Sequence, residues 1–95
     1  MHNEEHRQIT IDRTNAADRL AFLRGMADNA RSHGDREGAA RLDLVAEDLS
    51  ACIAAGWRHR FGRPVDHWEL NFRVSSLGNG TSNVRMHFRP VRRAA

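Results

Sequence analysis

HWELNFRVS, residues 67–75, alternates without interruption: Trp68, Leu70, Phe72 and Val74 fall on one face, and His67, Glu69, Asn71, Arg73 and Ser75 on the other. A period of two is that of a half-buried strand. NVRMHFRPV, residues 83–91, repeats the pattern with Val84, Met86 and Phe88 inward and Arg85, His87 and Arg89 outward, while Pro90 marks a strand end or an edge. The intervening SLGNGTS reads as a hairpin connection. A two-residue Asn79-Gly80 turn would set Val74 opposite Arg85 and Phe72 opposite His87, turning one apolar set to the wrong face. A three-residue loop, Gly78-Asn79-Gly80 with Gly80 left-handed in a bulge, instead matches Val74 with Val84, Phe72 with Met86 and Leu70 with Phe88. A five-residue loop keeps the same parity.

Upstream, QITIDR (8–13) alternates around Ile9 and Ile11 and predicts a short first strand, with residues 1–7 frayed. Ala16, Leu20, Leu23, Ala27 and Ala30 form one stripe, flanked by Phe22 and Met26, and predict a helix over 16–32. Asn15 is its expected N-cap, with Asp18 completing an approximate capping box. At His33-Gly34-Asp35 the chain stops and restarts, Gly34 taking the left-handed conformation and Asp35 capping the next helix. That second helix carries Leu42, Val45, Ala46, Leu49, Ile53, Trp57 and Phe61 on one side. Gly56 is one candidate stop; the continuing stripe, the basic Arg58-His59-Arg60 run and the pair Gly62 and Pro64 favour an end at Phe61, giving a helix over 36–61. The pattern predicts an α+β, two-layer fold of order β-α-α-β-β: an N-terminal strand, a long αα-hairpin and a C-terminal β-hairpin, with the helices on one face of a three-stranded sheet. Strand order is left open.

At 95 residues the chain has the length of a single domain (1–95), with a folded surface of roughly 5,500 Å² expected by size scaling. One cysteine, Cys52, excludes an intrachain disulfide and a thiolate zinc finger, and is expected to be a small buried side chain. The polar start and the lack of a long apolar run predict no signal peptide, no membrane span and a cytoplasmic setting. The net charge of +3 conceals a division: residues 1–56 hold seven arginines against ten acids, and residues 57–95 hold eight against two, ending in a basic tail at 92–95. All fifteen basic residues are arginine, a composition that a GC-rich genome also produces, and each is a planar fork suited to carboxylate or phosphate.

In the favoured register the solvent face pairs Arg73 with Arg85, Asn71 with His87, and Glu69 with Arg89. The last is an ordinary ion pair; the first opposes like charges, so that either Asp12 intervenes or an acidic partner relieves the repulsion. The expected partner-binding residues are therefore Arg73, Arg85, Arg89, His87, Asn71 and His67, with Arg58, Arg60 and Arg63. They predict a small non-enzymatic binding or inhibitory protein that uses a basic open sheet face to engage an acidic protein, or a second copy of itself through that face or an edge strand. The alternative is nucleic acid, its phosphates on the same arginines helped by Arg92 and Arg93, although the strand aromatics fall inward and leave only His67 and His87 to stack. Trp57 and Phe61 are read as core, or else as a protruding protein-binding knob.

A ribonuclease could use His67 or His87 with the arginines, yet the register separates the two by four residues along the strand, about 13 Å. Among the familiar catalytic and phosphate-binding patterns none occurs, and no ligands recur at metal spacing, so neither cofactor nor metal is expected. The order strand, two helices, hairpin resembles the opening of the small RelE/ParE-type toxins, a likeness of element order that implies messenger-RNA cleavage or gyrase inhibition.

Overall fold

The computed structural model describes residues 4–59, 61–76 and 82–92. Its elements are β1 (Glu4–Ile11), α1 (Ala16–Ser32), α2 (Arg36–Ala54), β2 (His67–Ser76) and β3 (Ser82–Val91). β2 and β3 pair antiparallel in the parity that burial demands: Leu70 faces Phe88, Phe72 faces Met86, and Val74 faces Val84. The turn expected at Gly78-Asn79-Gly80 and the side chains of Val74 and Val84 lie outside the described residues, as do the terminal residues 1–3 and the tail residues 93–95. β1 pairs antiparallel with the other edge of β2, Ile9 against Leu70 and Ile11 against Trp68, so the sheet order is β1-β2-β3.

The core forms where the inward strand residues meet the two helices. Ile11, Trp68, Leu70 and Phe72 pack with Leu23 and Ala27 of α1 and Leu42, Val45, Leu49 and Cys52 of α2. Leu49 and Leu70 are essentially inaccessible, and burial of a side chain of that size stabilises by about 1.5–3 kcal/mol. Trp68 and Phe88 stack face to face at 4.3 Å between ring centroids. Helices therefore cover one sheet face, the α+β arrangement expected.

β1 begins at Glu4, four residues earlier than the apolar alternation predicts, and ends at Ile11. Segment 4–7 is held by backbone pairing with Phe72–Ser75 and needs no buried apolar side chain of its own. Asp12 and Thr14 instead form the β1–α1 turn. The carboxylate of Asp12 accepts from Thr14 N (2.9 Å), Thr14 Oγ1 (2.6 Å) and Asn15 N (3.1 Å). Asn15 occupies the N-cap, but its side chain turns backward: Oδ1 accepts from Asp12 N and Nδ2 donates to Thr10 O, so no capping box with Asp18 forms.

Both helices end in the same way. In α1, Gly34 N donates to Arg31 O and Asp35 N to Ala30 O, with Gly34 at φ 80°; Asp35 then caps α2 by accepting from Gly38 N at 2.9 Å. In α2, Gly56 N donates to Ile53 O and Trp57 N to Cys52 O. This doubled bond pattern is a Schellman termination, and it satisfies carbonyls the helix end would leave open. The helix thus stops at Ala54 and not at Phe61. Gly56 (φ 71°) and Trp57 (φ 63°) reverse the chain in succession, folding the Trp57 ring back into the core, while Phe61 is left 74% exposed. Phe22 and Ile53, expected on apolar stripes, are exposed as well, because each helix rests only one side on the sheet.

The molecule measures 47 × 27 × 22 Å and exposes 6908 Å², well above the roughly 5,500 Å² that its mass implies. One uncovered sheet face contributes to that surplus. Among the described residues no helix is long and apolar enough to cross a membrane.

Candidate functional site

Because β2 is central, its outward residues from Glu69 to Ser75 each have a neighbour on both sides, and four rows cross the open face, the last of Glu4, Ser75 and Asn83. Thr10, Glu69 and Arg89 form the first, Gln8, Asn71 and His87 the second, and His6, Arg73 and Arg85 the third. Six of the nine expected partner-binding residues lie on β2 and β3 on this face: His67, Asn71, Arg73, Arg85, His87 and Arg89. His6, Gln8 and Thr10 extend it. His6 was missed because the alternation around Ile9 and Ile11 has no apolar continuation at Arg7; Gln8 and Thr10 lay in the expected strand but could not be placed beside Asn71 and Glu69 until the strand order was known.

The rows differ in electrostatic character. In the first, Arg89 donates from Nε (2.9 Å) and Nη2 (2.6 Å) to Oε2 of Glu69. His67 Nε2 stands 3.8 Å from Glu69 Oε1, and His67 Nδ1 lies 2.8 Å from Oδ2 of Asp66. The Arg89 hydrogen bonds, seconded by the positive charge of Arg89, hold the Glu69 carboxyl below its usual range against partial desolvation. Arg89 is thereby committed within the fold. The second row is polar. In the third, Arg73 and Arg85 sit directly opposite one another and both are exposed. Asp12 does not come between them: it lies beyond the far end of β1, engaged in its turn, and the residue beside Arg73 is His6. The face therefore carries the Glu69–Arg89 ion pair toward one end and Arg73 with Arg85 farther along, across a shallow concavity of about 650 Å³ lined by His6, Gln8, Asn71, Arg73, Arg85 and His87, among others.

Arg58 and Arg63 are not part of this face. Arg58 lies beside Asp48, Ala51 and Cys52 of α2, and its Nη1 donates to Gly62 O at 3.1 Å. Arg63 borders a separate hollow with Pro90 and Arg92. Both belong to the helix side of the sheet, carried there because the chain folds back at Gly56. Arg60 lies outside the described residues.

No protein-family model, curated protein or solved structure matches this chain. The resemblance to RelE/ParE-type toxins accordingly rests on element order, and functional argument has to start from the face itself. His67 sits opposite Val91 and His87 opposite Asn71, at different levels of the sheet, so the two imidazoles do not share a row. No group of three or more His, Cys, Asp or Glu able to hold a metal occurs among the described residues.

Proposed function

We propose that this is a non-enzymatic binding or inhibitory protein whose open sheet face docks an acidic region of a partner protein. The observation that carries the reading is the cationic lining of the uncovered face: Arg73 and Arg85 occupy facing register positions, both exposed, and border one concavity with Asn71 and His87. Exposed guanidinium forks take carboxylates in charge-assisted, often bidentate hydrogen bonds. Asn71, Gln8 and His87 add hydrogen-bond donors and acceptors in the adjoining row, while the Glu69–Arg89 pair keeps its end from repelling a negatively charged surface.

A protein partner is favoured over nucleic acid on this face because the aromatic rings of the strands point the other way: Trp68 and Phe72 are buried and Phe88 stacks on Trp68. Sequence-tolerant binding of single strands relies on exposed rings for stacking. The test is affinity capture from the native cell with wild-type and Arg73→Glu/Arg85→Glu baits, each checked for folding by circular dichroism. Retention of an acidic protein by wild type and its loss on charge reversal are expected. Equal capture by both baits removes the face from consideration; nuclease-sensitive capture that is lost on charge reversal would favour the nucleic-acid alternative at this face.

A further inference from the structure

The early stop of α2 creates a feature that a continuous helix would have lacked. Between Trp57 and β2 the chain makes a second tight turn: His59 N donates to Arg63 O (2.8 Å), Gly62 N donates to His59 O (2.7 Å), and Gly62 is left-handed at φ 78°. An antiparallel bridge between Arg58 and Pro64 closes its base, and Val65 N, donating to Trp57 O at 2.8 Å, ties it to the core. Phe61 stands at the tip.

The ring of Phe61 is exposed yet braced. His59 lies 5.1 Å from it, and the same imidazole lies 6.0 Å from buried Trp68, which stacks on Phe88. A ladder of rings therefore leads from the core to the surface and ends on Phe61, which is 74% exposed. Beside it is a hollow of about 490 Å³, floored by Val65 and Pro90 and flanked by His59, Phe61, Arg63 and Arg92. No carboxylate lines it among the described residues. Planar ring, apolar floor and flanking guanidinium forks are the parts that recognise an unstacked base and its neighbouring phosphates. A carboxylate-rich peptide would use the arginines and leave the ring idle.

We propose that Phe61, Arg63 and Arg92, over the floor of Val65 and Pro90, form a binding site for single-stranded nucleic acid, separate from the open sheet face, with one base stacked on Phe61 and phosphates held by Arg63 and Arg92. Preorganisation of the turn by its backbone bonds limits the ordering cost of that contact.

The test is fluorescence anisotropy of labelled dodecathymidylate and dodecauridylate with the full chain between 50 and 200 mM salt. Wild type should bind with strong salt dependence, and Phe61→Ala should weaken binding about tenfold with little change in the salt slope. Phe61→Trp should restore affinity, whereas Phe61→Leu, apolar but without a ring, should not. Arg63→Ala/Arg92→Ala should flatten the slope by about 1.4 for the two phosphates released. Heparin, an anion without bases, should bind wild type and Phe61→Ala alike. Failure of wild type to bind either oligonucleotide at 50 mM salt would overturn the proposal, as would full affinity in Phe61→Ala. So would an equal Phe61 dependence toward heparin or toward vesicles of anionic phospholipid, since that would make the ring a general apolar anchor.

Discussion

The indole Nε1 of Trp68 donates to the Sγ of Cys52 at 3.3 Å, and both residues are almost wholly buried. This bond joins the central strand to α2 and satisfies the indole donor of a buried tryptophan. No buried side-chain nitrogen or oxygen lacks a partner among the described residues, and the thiol is what secures that for Trp68. Cys52 is thus structural, and its value lies in accepting a hydrogen bond where an aliphatic residue could not.

Cys52→Ala should therefore cost about 2 kcal/mol, combining a small cavity with an orphaned N–H. Cys52→Ser, which keeps an acceptor, should lose less. The decisive measurement is a double-mutant cycle by urea denaturation: once Trp68→Phe has removed the donor, Cys52→Ala should be milder by about 1 kcal/mol. Strictly additive losses would mean that the contact contributes packing alone.

The termination of α2 predicts opposite signs at two glycines. Gly56 adopts φ 71° at the helix end, so Gly56→Ala should destabilise by about 1–2 kcal/mol from backbone strain, although no atom crowds the new methyl. Gly25 lies inside α1, exposed and with open space around it, and Gly25→Ala should stabilise by about 0.5–1 kcal/mol. Thermal denaturation of the two variants decides the matter. A neutral Gly56→Ala would show that the termination tolerates another geometry.

That same helix end separates what could be read in the chain from what could not. The β2–β3 parity was legible because a shift of one residue would have reversed Phe72 and Leu70 toward water. Gly34 and Asp35 were legible because one supplies the left-handed residue and the other a short carboxylate within reach of Gly38 N. The end of α2 was not, since Trp57 and Phe61 continue the four-residue spacing of Leu49 and Ile53, and only the backbone at Gly56 reveals the fold-back. Likewise the side chain of Asn15 had two uses, as a helix cap or as a strut across the preceding turn, and composition does not choose between them. On the open face, the contributions of β2 and β3 followed from their alternation; those of His6 and Gln8 required the register of β1, which its edge position leaves to backbone pairing.

At the start of α2, Asp35 and Gly38 depend on each other. A methyl at Gly38 would fall 2.3 Å from Asp35 Oδ2, displacing the carboxylate that caps the helix. Asp35→Ala should cost about 1 kcal/mol. Gly38→Ala should give no gain in the wild-type background, because lost capping offsets better helix propensity. With the cap already removed, the same substitution should stabilise by about 0.5–1 kcal/mol. Equal effects in the two backgrounds would show that the carboxylate finds another rotamer without leaving Gly38 N.

Acid should loosen two local structures. Asp12 is held below its ordinary value chiefly by the Thr14 hydroxyl and then by Asn15 N, and Glu69 by Arg89. A carboxyl whose folded value is depressed contributes stability that is complete above its unfolded value, about 4, and disappears as pH falls through the folded one. Stability measured by urea denaturation should therefore decline below about pH 4, and Glu69→Gln and Asp12→Asn should each shrink the difference between neutral and strongly acidic solution. A wild-type and Glu69→Gln gap that persists undiminished at pH 2 would mean that the Arg89 contact does not depend on charge.

If the open face docks an acidic partner, its third row sets stability against binding. Arg85→Glu sets a carboxylate opposite Arg73 in the register, which should raise stability by about 0.5 kcal/mol at low ionic strength, less in high salt, if the two arginines repel in the wild type. The same change should abolish retention of an acidic partner, because the face loses one fork and the other is drawn to the new carboxylate. Arg85→Gln should stabilise less and weaken capture only partly. Residues kept at a cost to folding are expected where a surface serves recognition, so a more stable variant that no longer binds would join the two observations. If Arg85→Glu gains stability and captures the same partner undiminished, the row is merely a tolerated repulsion and the docking surface must be sought elsewhere on the molecule.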